Sequence, residues 1–218
     1  MTKRFAILLG GALQVDARVR ALAAQCRVIA ADSGIRHAAA LGVQPELWLG
    51  DFDSTDAGDQ AAWPNIPRRA FAAEKNATDG EIAIDEAIAL GATHLRLFGA
   101  FGGERTDHAA MHLVQAVALA ERGLIVVLSS GAEEAHPLSA GSQNRLAVDL
   151  PAGALFSLLP FSDLGGLTIR GARYPLVDMA IPFGSSRPIS NVAEGPIELS
   201  LRSGRAIMIA RPHDFSGV

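Results

Sequence analysis

From Arg4 to Leu128, short apolar runs alternate with longer stretches in which apolar residues recur at helical spacing. Arg4–Leu9, Arg27–Ala31, Glu46–Leu49, Arg68–Phe71, His94–Phe98 and Leu124–Leu128 are short and carry β-branched or aromatic residues, so they read as strands. Between them, Leu13–Gln25, Ile35–Leu41, Asp56–Trp63, Asp79–Leu90 and Asp107–Arg122 read as helices. Strands and helices alternating at this spacing predict an α/β domain with a largely parallel, Rossmann-like sheet covered on both faces.

The pattern changes after about Glu134. Arg145–Leu150, Ala154–Pro160, Gly166–Arg170, Pro188–Asn191, Ile197–Leu201 and Ala206–Ala210 are short, often alternating, and separated by Gly, Pro, Ser or Asp. They predict an all-β sandwich or barrel. Two domains follow, residues 1–134 and 135–218, with Gly131–Gly141 as the boundary segment. There is no internal repeat and no low-complexity tract.

Composition narrows the setting. The 218 residues are 49% hydrophobic and 19% charged, the balance of a globular protein with enough chain for a sizeable core. A formal net charge of −4 supplies no global field for nucleic acid or an anionic membrane. Thr2-Lys3-Arg4 before Phe5–Leu9 has the outline of a signal peptide, but the apolar run is short and ends in Gly10-Gly11, as a buried first strand would. No run approaches the roughly 18 apolar residues of a membrane span. Cys26 is the single cysteine, which excludes an internal disulfide and a multi-cysteine metal site. A cytoplasmic location is expected.

Acidic residues cluster just past the predicted strands. Asp51 and Asp53, in Gly50-Asp51-Phe52-Asp53-Ser54, follow Leu47-Trp48-Leu49 directly. Residues two apart in an extended chain point the same way, so a turn there aims both carboxylates at one point. Such a pair repels itself unless a cation lies between, and a hard divalent ion such as Mg²⁺ suits oxygen ligands. The same residues also describe an Asp-rich surface turn. Asp32 follows Arg27–Ala31, while Asp79 and Asp107 each open a helix. Thr78-Asp79-Gly80-Glu81 has the form of a capping box, so Asp79 also reads as a simple first-turn acid, as does Asp107. In an open parallel sheet, loops leaving the strand C-termini share one edge, where ligands bind. Five carboxylates from four loops are expected to meet there.

Bases lie beside these acids in sequence. Arg105 precedes Asp107 behind Gly102-Gly103, and Lys75 precedes Asp79. Guanidinium and close-approaching backbone N–H groups suit phosphate. Acids for Mg²⁺ beside bases for phosphate predict phosphoryl or pyrophosphoryl transfer. Gly10-Gly11 after the first strand is a weak phosphate-loop signal. Neither a P-loop nor a Gly-x-Gly-x-x-Gly fingerprint is present.

Taken in order, the motifs resemble the thiamine pyrophosphokinase family along most of the chain. Asp32-Ser33-Gly34 and then Pro45 leading to Gly50-Asp51-Phe52-Asp53-Ser54 are similar to its first signature. Lys75-Asn76-Ala77-Thr78-Asp79 resembles its Lys-Asp-x-Thr-Asp segment, and Gly99 through Arg105-Thr106-Asp107-His108 its Arg-x-Asp-His segment. Ser157-Leu158-Leu159-Pro160, Gly171–Leu176 and Ser190-Asn191 resemble motifs of its thiamine-binding domain. The resemblance implies transfer of a pyrophosphoryl group from ATP to the hydroxyethyl oxygen of thiamine, giving thiamine diphosphate and AMP. It implies a homodimer with active sites between subunits. It also implies Mg²⁺ on Asp51, Asp53 and Asp79, phosphate contacts from Arg105, and Asp107 at the reacting hydroxyl. Gly10, Gly11, Asp32, Ser33, Gly34, Lys75 and Thr78 fall to nucleotide binding, and Ser190 and Asn191 to thiamine.

The chain departs from the family pattern at Asn76, Gly80, Ile82, Glu104 and His112. Three other readings compete: a pyrophosphokinase for another small alcohol such as a hydroxymethyl-pterin, a haloacid-dehalogenase-type phosphatase, and a non-catalytic thiamine or nucleotide sensor. The phosphatase needs its Asp-x-Asp after the first core strand, whereas here it follows the third. Trp48, Trp63, Phe101 and Phe183 are expected in the core, and His37, His94, His136 and His213 as structural or surface residues.

Overall fold

The computed structural model describes residues 2–52, 55, 57–71, 76–103 and 105–217. The chain forms two compact units. The first runs to Ala110 and includes Leu128–Gly131; the second comprises Met111–Val127 and the chain from Ala132 onward.

In chain order the first part carries β1 (Arg4–Leu8), α1 (Ala17–Ala23), β2 (Arg27–Ala31), a 3₁₀ turn (Asp32–Arg36), α2 (His37–Leu41), β3 (Leu47–Gly50), α3 (Ala57–Ala62), β4 (Arg68–Ala70), α4 (Asp79–Ala89) and β5 (His94–Phe98). Then come α5 (Thr106–Glu121) and β6 (Ile125–Ser129), which run across both units. The strands of the first unit pair in parallel, β1 with β2 and β5, β2 with β3, and β3 with β4.

Except for β4, which is exposed, these strands are rich in apolar residues because both faces are covered. On one face Ala6, Leu8, Val28, Ala30, Trp48 and Phe98 meet Val19 and Ala23 of α1 and Ala38 and Leu41 of α2. Residues of the other parity, Phe5, Ile7, Ile29 and Leu49, are also buried and point to the opposite face. There α4, with Ala83, Ile84 and Ala87 buried, packs on β1, β2 and β3.

The second unit is antiparallel and β-rich, with β7 (Glu134–Ser139), β8 (Arg145–Val148), β9 (Leu155–Pro160), β10 (Leu164–Ala172), β11 (Leu176–Ile181), β12 (Asn191–Ser200) and β13 (Arg205–Arg211). β13 lies between β7 and β9. β12 changes partner along its length, pairing with β9 through Asn191 and Val192 and with β8 and β10 further on. Phe156, Leu158, Leu167, Ile169, Ile197, Leu199 and Met208 are among the residues of its core.

Several elements differ from expectation. α1 starts later than Leu13, because Asp16 accepts from the Val19 N–H at 2.7 Å and fixes the helix start. Gly131–Gly141, expected as a boundary segment, contains β7, which is buried at every position. Pro188–Ser190, expected as strand, is a turn in which the Ile189 N–H donates to the Ser186 carbonyl and Ser190 has φ of 55°. β11 was not expected. Phe183 is exposed, unlike Trp48 and Phe101, which are buried. No described helix is long and apolar enough to cross a membrane.

Candidate active site

Chain order explains where the acids collect. The chain steps outward from β1 through β2, β3 and β4, then returns to place β5 on the other side of β1. All five strands are parallel, so the segments leaving them share one edge, and the order reverses between β1 and β5. Gly10-Gly11 leave β1, Asp32-Ser33-Gly34 leave β2, Asp51 leaves β3, and Gly99 leaves β5. Asp79 opens the helix after β4 and Asp107 the helix after β5. Asp53 and Lys75, expected here as metal ligand and phosphate contact, lie outside the described residues, as does Glu104.

The β1 and β5 loops interlock through backbone alone. The Gly11 N–H donates to the Gly99 carbonyl at 3.0 Å, and the Leu9 N–H to the Phe98 carbonyl at 2.8 Å. A Cβ on Gly11 would collide with the Gly99 carbonyl oxygen, so this approach requires glycine. His37 holds the same loop from below, its Nε2 2.9 Å from the Gly11 carbonyl, which makes Nε2 the protonated, donating nitrogen. Burial pushes the His37 pKa down, and its backbone hydrogen bonds offset only part of that. Lone histidines without metal-type spacing give no sequence signal of this kind, and His37 was expected only as a structural or surface residue.

The Thr78 N-cap expected at α4 is present. Thr78 Oγ1 accepts from the Glu81 N–H at 3.2 Å, which puts Asp79 in the first turn, at the positive end of the helix. Arg105 and Asp107 are brought together more tightly than their separation in sequence suggests. Arg105 Nε donates to Oδ1 at 3.0 Å and Nη2 to Oδ2 at 2.8 Å, in a bidentate pair open to solvent. The guanidinium holds the Asp107 carboxyl well below the usual carboxylate range. An exposed pair of this kind is inexpensive to open.

Ser190 and Asn191 belong to the second unit. Ser190 is exposed and its N–H donates to Ser157 Oγ at 3.0 Å. Asn191 is 3% exposed. Its Oδ1 accepts from the Tyr174 N–H at 3.1 Å and the Val192 N–H at 2.9 Å, while Nδ2 donates to the Tyr174 carbonyl at 2.9 Å. That amide is occupied in fastening the Gly171–Leu176 turn to β12.

A parallel α/β unit with acids, a guanidinium and interlocked glycine loops at its strand ends, carried with an antiparallel β unit, defines a two-part architecture. Comparison with known proteins gives the family. Residues 19–128 match the thiamin pyrophosphokinase catalytic domain, and residues 143–205 match the thiamin pyrophosphokinase vitamin B1 binding domain. The chain belongs to the thiamin pyrophosphokinase family. It is 30% identical over 166 residues to the thiamine pyrophosphokinase of Bacillus subtilis (strain 168), covering 69% of this chain and 70% of that relative. The crystal structure of the thiamin pyrophosphokinase from Geobacillus thermodenitrificans superposes with a TM-score of 0.79 at 28% identity, covering all of both chains. The Candida albicans enzyme, at 12% identity, a TM-score of 0.76 and 96% and 90% coverage, shares the fold.

Proposed function

We propose that this protein transfers the pyrophosphoryl group of ATP to the hydroxyethyl oxygen of thiamine, giving thiamine diphosphate and AMP. The observation that carries this is the match to both the catalytic and the vitamin B1 binding domains, in that order, along one chain. It disfavours a pterin alcohol as substrate. A sensor that had lost catalysis is disfavoured by the presence of Asp51, Asp79, Arg105 and Asp107 together. The work divides between an ATP-binding, Rossmann-like domain at residues 1–134 and a thiamine-binding β-sandwich at 135–218.

Asp51, Asp53 and Asp79 are the metal ligands in this reading. The fit to Mg²⁺ rests on the donors: the described strand ends offer carboxylate oxygens, and the nearby imidazole, His37, is engaged with Gly11. Among the described residues alone, no cluster of three His, Cys, Asp or Glu forms a metal centre, so the set depends on Asp53. When bound, Mg²⁺ neutralises triphosphate charge. Gly10, Gly11, Asp32, Ser33, Gly34, Lys75 and Thr78 line the nucleotide. Arg105 exchanges its partner, leaving Asp107 for phosphate oxygens. Freed of the guanidinium, the Asp107 carboxylate becomes the stronger base and takes the hydroxyl proton late in the transfer. The thiamine oxygen bonds to the β-phosphorus, and the bond from that phosphorus to the bridging oxygen breaks, so AMP leaves with the oxygen. Ser190 meets thiamine, and Asn191 supports the turn that presents it. Two chains form a homodimer with shared sites, a reading supported by exposed Tyr174, Val177, Phe183 and Ile189 in the second unit. The cytoplasm is the expected location.

Asp51→Asn tests the metal assignment. It should lower kcat/KM by roughly a thousandfold or more, several kcal/mol of transition-state stabilisation, with thermal unfolding unchanged. Near-normal turnover at saturating Mg²⁺ would remove Asp51 from the metal site.

A further inference from the structure

Trp48 is fully buried in β3, where it serves the core as its sequence context leads one to expect. Two of its contacts reach from that core to the segments leaving β2 and β3. The indole Nε1–H donates to the Asp32 carbonyl at 2.9 Å, across to the segment leaving β2. The ring meets Phe52 edge-on, with centroids 5.2 Å apart and planes at 87°, on the segment leaving β3.

Both of these partners hold unusual backbone. Asp32 has φ of 44° and Phe52 has φ of 63°, left-handed values that side-chain-bearing residues seldom adopt and keep only when their surroundings enforce them. The other described non-glycine residues with positive φ, Asp178 and Ser190, lie in the second unit. Among the described non-glycine residues of the first unit, then, the two with positive φ are the two that Trp48 touches. One is an acid of the candidate site and the other directly follows Asp51. Gly50 completes the contact between the two segments, since a Cβ there would lie 3.1 Å from both Cα and Cβ of Asp32 and 3.3 Å from its Oδ1. On the side of β4, the Arg68 guanidinium carbon stands 4.9 Å from the centre of the Trp48 ring.

We propose that Trp48 is a positioning residue for the acidic edge: it ties the turn after β2 to the turn after β3 and so fixes the spacing of the Asp32 and Asp51 carboxylates. The inference rests on the reading of that edge as a metal–triphosphate site. A core filler needs only the indole's apolar surface. The hydrogen bond to Asp32, and the packing of Phe52 on the same core, tie the two turns to it as well.

Trp48→Phe keeps an aromatic ring against Phe52 and removes the N–H donor. The readout is Mn²⁺ binding, followed by electron paramagnetic resonance, in the presence of the α,β-methylene analogue of ATP, whose α–β bridge does not cleave. Trp48→Phe should weaken Mn²⁺ binding about tenfold, the usual scale for groups that orient metal ligands. The Mg²⁺ concentration for half-maximal activity should rise by a similar factor, with kcat at saturating Mg²⁺ changing less than about threefold. Leu41→Ala, which opens a cavity at a 2%-exposed position of the same core, should lower stability and leave Mn²⁺ affinity unchanged. Wild-type Mn²⁺ affinity in Trp48→Phe, or an equal loss in Leu41→Ala, would overturn the proposal. Should Trp48→Phe lack a cooperative unfolding transition, Phe52→Leu carries the test, with about threefold weaker Mn²⁺ binding expected and no change overturning it. Asp51→Asn run alongside separates the two claims. Retained Mn²⁺ affinity there contradicts the metal reading itself, whereas its loss beside a normal Trp48→Phe contradicts the positioning role alone.

Discussion

His37 stands half-buried at the start of α2 with its Nε2–H on the Gly11 carbonyl, and burial shifts its imidazole toward the neutral form. Burial is the main cause of the lowered pKa; Arg36 adds to it, and the hydrogen bonds to Gly11 and Leu9 work against it. The unfolded chain, with a histidine pKa of about 6.5, therefore binds more protons than the folded one as pH falls below that value. The stability this group contributes is present above about pH 6.5 and declines toward its lower folded pKa. His94 is shifted the same way, also mainly by burial, so the prediction is a difference between proteins. His37→Gln keeps a donor for Gly11 and has nothing to titrate. Its urea midpoint should fall less than that of the wild type between about pH 7.5 and about pH 5.5, near the histidine range. Equal acid losses in both proteins would contradict the assignment.

Asn191 shows how a side chain can organise an element. Two hydrogen bonds, to the Tyr174 N–H and carbonyl, join the first residue of β12 to the turn before β11, and a third goes to the Val192 N–H of its own strand. Asn191→Ala leaves the buried Val192 N–H unpaired and unfastens Tyr174, and should cost about 1–3 kcal/mol of stability, read as a lower urea midpoint at unchanged slope. An unchanged midpoint would mean that water or a neighbour replaces the amide. The same element was partly hidden in the sequence, where Ile197–Leu201 stood out as a strand and Val192–Pro196 did not. Gly195 and Pro196 are poor strand formers, yet β12 runs through both, because pairing on either side outweighs local propensity. β7 was concealed by Glu134, His136 and Pro137; Glu134 Oε2 and His136 Nε2 lie 3.4 Å apart in the buried strand. β11 was concealed by Asp178, whose φ of 53° accompanies the register shifts against β10. The parallel strands, by contrast, were legible nearly residue for residue, since burial on both faces makes β1, β2 and β3 mostly apolar runs; β4, exposed along its length, is the exception. The acids of the candidate site were legible from their position after those runs. The pairing of Arg105 with Asp107, the Trp48 bridge and the His37 contact were not, because each depends on atoms brought together only by the fold.

For the whole molecule, the proposal of sites shared between two chains makes a quantitative prediction. Asp51→Asn removes an acid from the α/β part, and Ser190→Arg sets a bulky cation against cationic thiamine in the β part. Each variant alone should be nearly inactive. After subunit exchange, half the dimers are mixed and one of their two sites is intact, so activity should recover to about a quarter of wild type. No recovery after verified exchange would contradict shared sites. The central claim, pyrophosphoryl rather than phosphoryl transfer to thiamine, is tested most directly by following the phosphorus species. The protein is incubated with ATP, Mg²⁺ and thiamine and observed by ³¹P nuclear magnetic resonance. AMP and thiamine diphosphate should appear in equal amounts, with neither product formed when a hydroxymethyl-pterin replaces thiamine. ADP with thiamine monophosphate, or turnover of the pterin in place of thiamine, would contradict the account.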